Sequence, residues 1–178
     1  SMKTDTIVAV STGESIAAIA MIRLSGSEAI HIAESVFKGA SLSNAESHTA
    51  HFGRIVNEDG VILDEVVITV YKSPRSYTSE DVVEINCHGS QYIMREIMAL
   101  LVRQGARPAD PGEFTMRAFI NGRMDLSQAE AVADLISSQS KAAHDIAMQQ
   151  MRGGVSSEIQ VLRQKLLDFA SLIELELD

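Results

Sequence analysis

The chain has one cysteine, Cys87, no tryptophan and only three prolines in 178 residues. A single thiol excludes an internal disulfide and suits a reducing compartment. No apolar run approaches the roughly 18 to 20 residues that span a bilayer, and no basic-then-apolar leader is present, so neither a membrane span nor a signal peptide is expected. Lysine and arginine total 15 against 24 acidic residues, a formal net charge of −9, and the cations are scattered. Phosphate backbones need a basic stripe, so this segment is no nucleic-acid clamp by itself. No G-x-x-x-x-G-K-[ST] occurs, which excludes nucleotide binding by a P-loop. The five histidines lack spacing of the H-E-x-x-H kind, so no metal site is expected.

What is present is ordinary globular composition, with length enough for a substantial core in one or two units. The first part alternates strands and helices. Thr6–Val10 and Ala17–Leu24 read as strands across a turn at Ser11–Ser15. Ser25-Gly26-Ser27 leads into a helix with Ile30, Ala33 and Val36 at helical spacing, followed by a polar loop over 39–47. His48–Val56 and Val61–Tyr71 flank Asn57-Glu58-Asp59-Gly60, which predicts a hairpin. Val82–Cys87 is a further strand, and a helix follows from Gln91 to Gln104, with Gly105 at its C-terminal cap.

From Pro111 the pattern changes. A compact turn-and-helix segment carries Glu113, Arg117, Asn121, Arg123 and Asp125, at a joint where clefts tend to form. Asp125 and Gln128 are spaced as a capping box, and Ala129, Val132, Ala133 and Ile136 begin an apolar helical face. Ala143, Ile146, Ala147 and Met151 continue it up to Gly153-Gly154. A third stripe, from Ile159 through Leu166 and Phe169 to Leu177, runs to the last residue without a stop signal, so the chain is expected to be a fragment.

Three polar residues stand out chemically. Glu84 interrupts the apolar run Val82-Val83-Glu84-Ile85; such a carboxylate either faces water or accepts parallel N–H donors from a heterocycle. Arg23 closes the apolar strand Ile19–Ile22, where a cation needs a counter-ion or an anionic ligand. Arg123 follows Asn121-Gly122 on a turn. One carboxylate and two guanidinium groups suit a ligand with a donor-rich ring and an anionic tail. Cys87 and His88 are adjacent on a strand and face opposite sides, so they make no catalytic dyad. Cys87 reads as a small buried hydrophobe. No catalytic residue is assigned.

Four strings occur in order: DTIVAVST from Asp5, IRLSG at Ile22–Gly26, SEDVVEINCHG at Ser79–Gly89, and GEFTMRAFINGRMDLSQAEAVADLI at Gly112–Ile136. Together they resemble the N-terminal part of the tRNA modification GTPase MnmE (TrmE) family, over Asp5 to Asp178. The resemblance implies an α+β fold: an N-terminal mixed sheet with helices, like the folate-binding domains of one-carbon enzymes, followed by an all-helical segment. It implies an N-terminal folate-binding and dimerisation domain over 1–119. Residues 120–178 would be the first part of a helical domain, cut before the GTPase insert. The implied cofactor is 5-formyl- or 5,10-methylene-tetrahydrofolate, contacted by Arg23, Glu84 and Arg123. GTP, Mg2+ and K+ belong to the full-length protein only, as does the family's catalytic cysteine near its far C-terminus.

The implied partners are a second copy of the chain, the FAD-dependent MnmG (GidA) and tRNA, with no membrane, in the cytoplasm. With that partner the family places an aminomethyl-type group on C5 of the tRNA wobble uridine. Two other readings remain open: a stand-alone folate-dependent one-carbon transferase, and an interaction module with a vestigial folate site. The chain departs from the family's pattern at STGESIAAIA, which has no proline and fewer glycines, at Ser79 in place of glycine, and at Arg123 in place of lysine.

Overall fold

The computed structural model describes residues 5–11 and 18–151, with side-chain surroundings up to residue 138. The turn over 12–17 and the stripe from Ile159 to Leu177 lie outside the described residues, as do Gly153-Gly154 and the surroundings of Ala143, Ile146, Ala147 and Met151. The described part is α+β. Seven strands form one mixed sheet: β1 (Ile7–Val10), β2 (Ile19–Ser25), β3 (Phe37–Lys38), β4 (Thr49–Val56), β5 (Ile62–Tyr71), β6 (Val82–His88) and β7 (Arg107–Pro108). Their spatial order is β3-β4-β5-β6-β2-β1-β7, antiparallel except for the β1–β7 pair. The helices are α1 (Ala29–Val36), α2 (Gln91–Arg103), α3 (Glu113–Ile120) and α4 (Leu126–Met151). No helix among the described residues is long and apolar enough to cross a membrane.

Alternation along the strands sorts the sheet into two faces. Val8, Ile22, Leu24, Val83, Ile85 and Ile68 point to one side, where α1 and α2 cover them with Ile32, Ala33, Ile97 and Leu101. Their neighbours point the other way. Ile7 meets Tyr77 and, from α3, Phe114 and Ala118 in a smaller cluster. Arg23 and Glu84 sit between core residues on their strands, so they share this second face. Helix α3 covers only part of it. Phe52 and Ile19 stand 67% and 65% exposed on the rest, beside Val67.

Two backbone positions explain local sequence. Gly26 has φ +143°, and a Cβ there would lie 2.7 Å from the Thr6 Cα, so the turn after β2 admits only glycine. Ser79 adopts φ +66°, a left-handed conformation that costs a side-chain-bearing residue energy. This is the position at which the related motif carries glycine. The capping box is formed: Gln128 N–H donates to Asp125 Oδ1 at 2.8 Å, and Asp125 N–H donates to Gln128 Oε1 at 3.0 Å. The short strands β3 and β7 are additional to the elements expected from periodicity. Two residues are too few to show a period, and their placement comes from pairing with β4 and β1.

Candidate functional site

Antiparallel pairing of β2 with β6 sets Arg23 directly across from Glu84. Cross-strand neighbours on one face have Cβ atoms about 5 Å apart, so register alone brings the charges together. Arg23 Nη2 lies 3.5 Å from Glu84 Oε1. The guanidinium is fully buried, with the rings of Tyr77 and Phe114 at 5.3 and 5.8 Å from its central carbon. Such geometry adds cation–π attraction to the ion pair.

Glu84 also forms part of the wall of an open cleft of about 680 Å³, together with Arg123, His48, Tyr71, Pro74, Arg75 and Ser76. That volume lies in the range of small-molecule sites, roughly 300 to 1,000 Å³. Two of the residues singled out from sequence, Glu84 and Arg123, therefore share one cavity although 39 positions apart. The third, Arg23, stands behind Glu84. Arg123 is carried by the turn between α3 and α4, where Gly122 adopts φ +80°. Sequence reasoning missed His48, Tyr71, Arg75 and Ser76, which sit at strand ends and on the 72–81 loop. None of them interrupts a pattern, so none gave a local signal.

The other polar residues of the Pro111–Ile136 stretch are turned inward as a structural joint. Arg107 on β7 donates to Asp5 and, at 2.6 Å, to Glu113 Oε2. Arg117 reaches Glu80 at 3.1 Å, Glu113 at 3.3 Å and Asp5 at 3.4 Å. Burial acts to raise the Glu113 carboxyl, but hydrogen bonds from Arg107 and the Asp110 amide, with Arg117 nearby, bring it below the usual range. Arg107 itself is shifted upward by its hydrogen bonds to Asp5 and Glu113. Asn121 donates through Nδ2 to the Thr78 carbonyl at 2.7 Å, tying the end of α3 to the loop that bounds the cleft. The cavity at the α3–α4 joint is separate and apolar, lined by Met116, Phe119, Leu126, Ala133 and Ile136 among others.

Cys87 is buried on the helix-covered face, and its thiol is pushed up to about 11 by burial and by the nearby Asp64 charge. A thiol so placed is a poor nucleophile. His88 turns away from it, and its Nδ1 lies 2.7 Å from Asp64 Oδ1.

Sheet, cleft and long helix together define an α+β module with an ion-paired cleft, continued into a helical segment. The family described as "GTP-binding protein TrmE N-terminus" matches residues 6–123, and that described as "MnmE helical domain" matches 126–178. The chain belongs to the tRNA modification GTPase MnmE family. Proteins named tRNA modification GTPase MnmE from Cytophaga hutchinsonii and Flavobacterium johnsoniae are 61% and 60% identical to it, each across 98% of this chain. That from Bacteroides thetaiotaomicron is 55% identical across 99%. The chain spans 38% of the length of these curated relatives.

Proposed function

We propose that this chain is the folate-binding and homodimerising part of a cytoplasmic tRNA-modifying GTPase, with residues 1–119 as the binding domain and 120–178 as the opening of the helical domain. The cleft binds 5-formyl- or 5,10-methylene-tetrahydrofolate. The single observation that carries this reading is that Glu84 and Arg123 wall one cleft, with Arg23 ion-paired behind Glu84.

The donor set fits that group. A carboxylate accepts the two parallel N–H donors on the 2-amino and N3 edge of a pterin, and the guanidinium of Arg123 meets carbonyl or carboxylate oxygens. Arg23 supplies the counter-charge that orients Glu84 from behind. The pterin, bound there, would carry a one-carbon unit. In the full-length protein, with its GTP, Mg2+ and K+, and with the FAD-dependent partner MnmG, that carbon goes into the aminomethyl-type group on C5 of the tRNA wobble uridine. Homodimerisation is supported by the half of the second sheet face that α3 leaves open, where Ile19, Phe52 and Val67 are exposed.

Isothermal titration of the chain with 5-formyltetrahydrofolate tests the reading, and saturable binding at one site per protomer is expected. Absence of heat at about 1 mM ligand, the millimolar floor of useful affinity, would end it. In analytical ultracentrifugation the same samples are expected to sediment as a dimer; a monomer at high concentration removes the assembly half of the proposal.

A further inference from the structure

His48 sits at an uncommon backbone angle. It holds φ +65°, one of only two non-glycine residues with positive φ among those described. Outside glycine that conformation is uncommon, and histidine is among the few side chains that tolerate it well. Its own N–H donates to the Val70 carbonyl at 2.7 Å, which fixes the backbone against the end of β5. The ring is fixed too. Tyr71 meets it edge to face, with centroids 4.9 Å apart and planes at 85°. Ser47 Oγ lies 2.8 Å from Nδ1, and that same oxygen already accepts the Lys72 amide at 2.8 Å.

These contacts position the ring. While accepting the Lys72 amide, the Ser47 hydroxyl can still donate its proton to Nδ1, and in that neutral tautomer Nε2 carries the hydrogen. An imidazole thus lies in the wall of the cleft that also holds Glu84 and Arg123. Glu84 serves ligand donors, and Arg75 and Arg123 serve charge. His48 adds what they lack, a neutral imidazole positioned by Ser47, Val70 and Tyr71.

We infer that His48 is a specificity-determining contact of this cleft, donating from Nε2 to an oxygen acceptor on the ligand, either the ring carbonyl of the pterin or a carboxylate of its tail. The inference rests on the reduced-folate reading above.

The variants His48→Asn and His48→Gly test it, because both residues accept positive φ and neither reaches as the Nε2 donor does. Titration of the 178-residue chain with 5-formyltetrahydrofolate is expected to show affinity weakened about 3- to 10-fold in both, the loss of one neutral hydrogen bond, with the melting temperature unchanged. A tailless tetrahydropterin locates the acceptor. Weakening with this probe too assigns the ring carbonyl, and weakening confined to the full ligand assigns the tail; either result supports the contact. Wild-type affinity in both variants overturns it, as does a lowered melting temperature with unchanged affinity. Failure of the wild-type chain to bind either probe is a different result, and it overturns the folate reading together with this inference.

Discussion

Replacing Glu84 with glutamine should separate what the Arg23–Glu84 pair does for the fold from what it does for a ligand. The substitution leaves a guanidinium with no accessible surface facing a neutral amide in place of a carboxylate 3.5 Å away. Removing one partner of a buried pair costs about 3 to 5 kcal/mol, and the long N–O separation here argues for the lower end, about 3 kcal/mol. For a domain of this size that lowers the melting temperature by roughly 6 to 12 °C. The double variant Arg23→Met with Glu84→Gln also removes the buried cation and places an apolar side chain beside the rings of Tyr77 and Phe114. Its stability should return to within about 1 kcal/mol of wild type, a recovery of about 2 kcal/mol over the single variant. Ligand affinity should not return. Loss of charge-assisted hydrogen bonds worth about 1.5 to 3 kcal/mol weakens binding about 10- to 150-fold in the single and the double variant alike. Urea unfolding followed by circular dichroism gives the first quantity, and titration with 5-formyltetrahydrofolate the second. If Glu84→Gln alone leaves stability within about 0.5 kcal/mol of wild type, the pair is not the buried device described here. If the double variant regains affinity, Glu84 does not hold the ligand.

Two further outcomes follow from the buried groups. Glu113 titrates below the ordinary glutamate value of 4.5 in the folded protein, so its contribution is complete above that value and fades as the pH falls through the lower folded one. Asp5 moves in the same direction through its hydrogen bond to Arg107. Urea midpoints measured between about pH 7 and 3 should fall steeply at the acid end for wild type and less so for Glu113→Gln, which starts less stable; parallel curves would refute the assignment. With its thiol at about 11, Cys87 should react with a disulfide reagent at pH 8 about 100-fold more slowly in the native chain than in urea, and equal rates would show that it is neither buried nor shifted.

Much of the fold was legible because its elements repeat a period. The β4–β5 hairpin, with Asn57 and Gly60 in its turn, and the capping box at Asp125 are local patterns that report local structure. The placement of Glu84 was half legible. An acid inside an apolar strand signals an exception, but only the β2–β6 register shows that its neighbour is Arg23. His48 was not legible, because its importance comes from a backbone angle and from Ser47 and Tyr71 meeting around it in space. The Pro111–Ile136 stretch misleads if polarity is equated with a ligand site. Glu113 and Arg117 are bound to partners on β7, before β1 and on the loop before β6, and their density reflects the cost of burying charge at a joint.

Arg123 lies three residues ahead of Leu126, the first residue of α4. That helix has 26 residues and is therefore about 39 Å long at 1.5 Å per residue. Its first turns lie against α3, where a Cβ added at Gly112 would come within 3.2 Å of Ile136. Over this length a change of about 5° in the direction of α4 moves its far end by about 3 Å. The residue in the cleft wall and the direction of the long helix are thus set within three positions of one another.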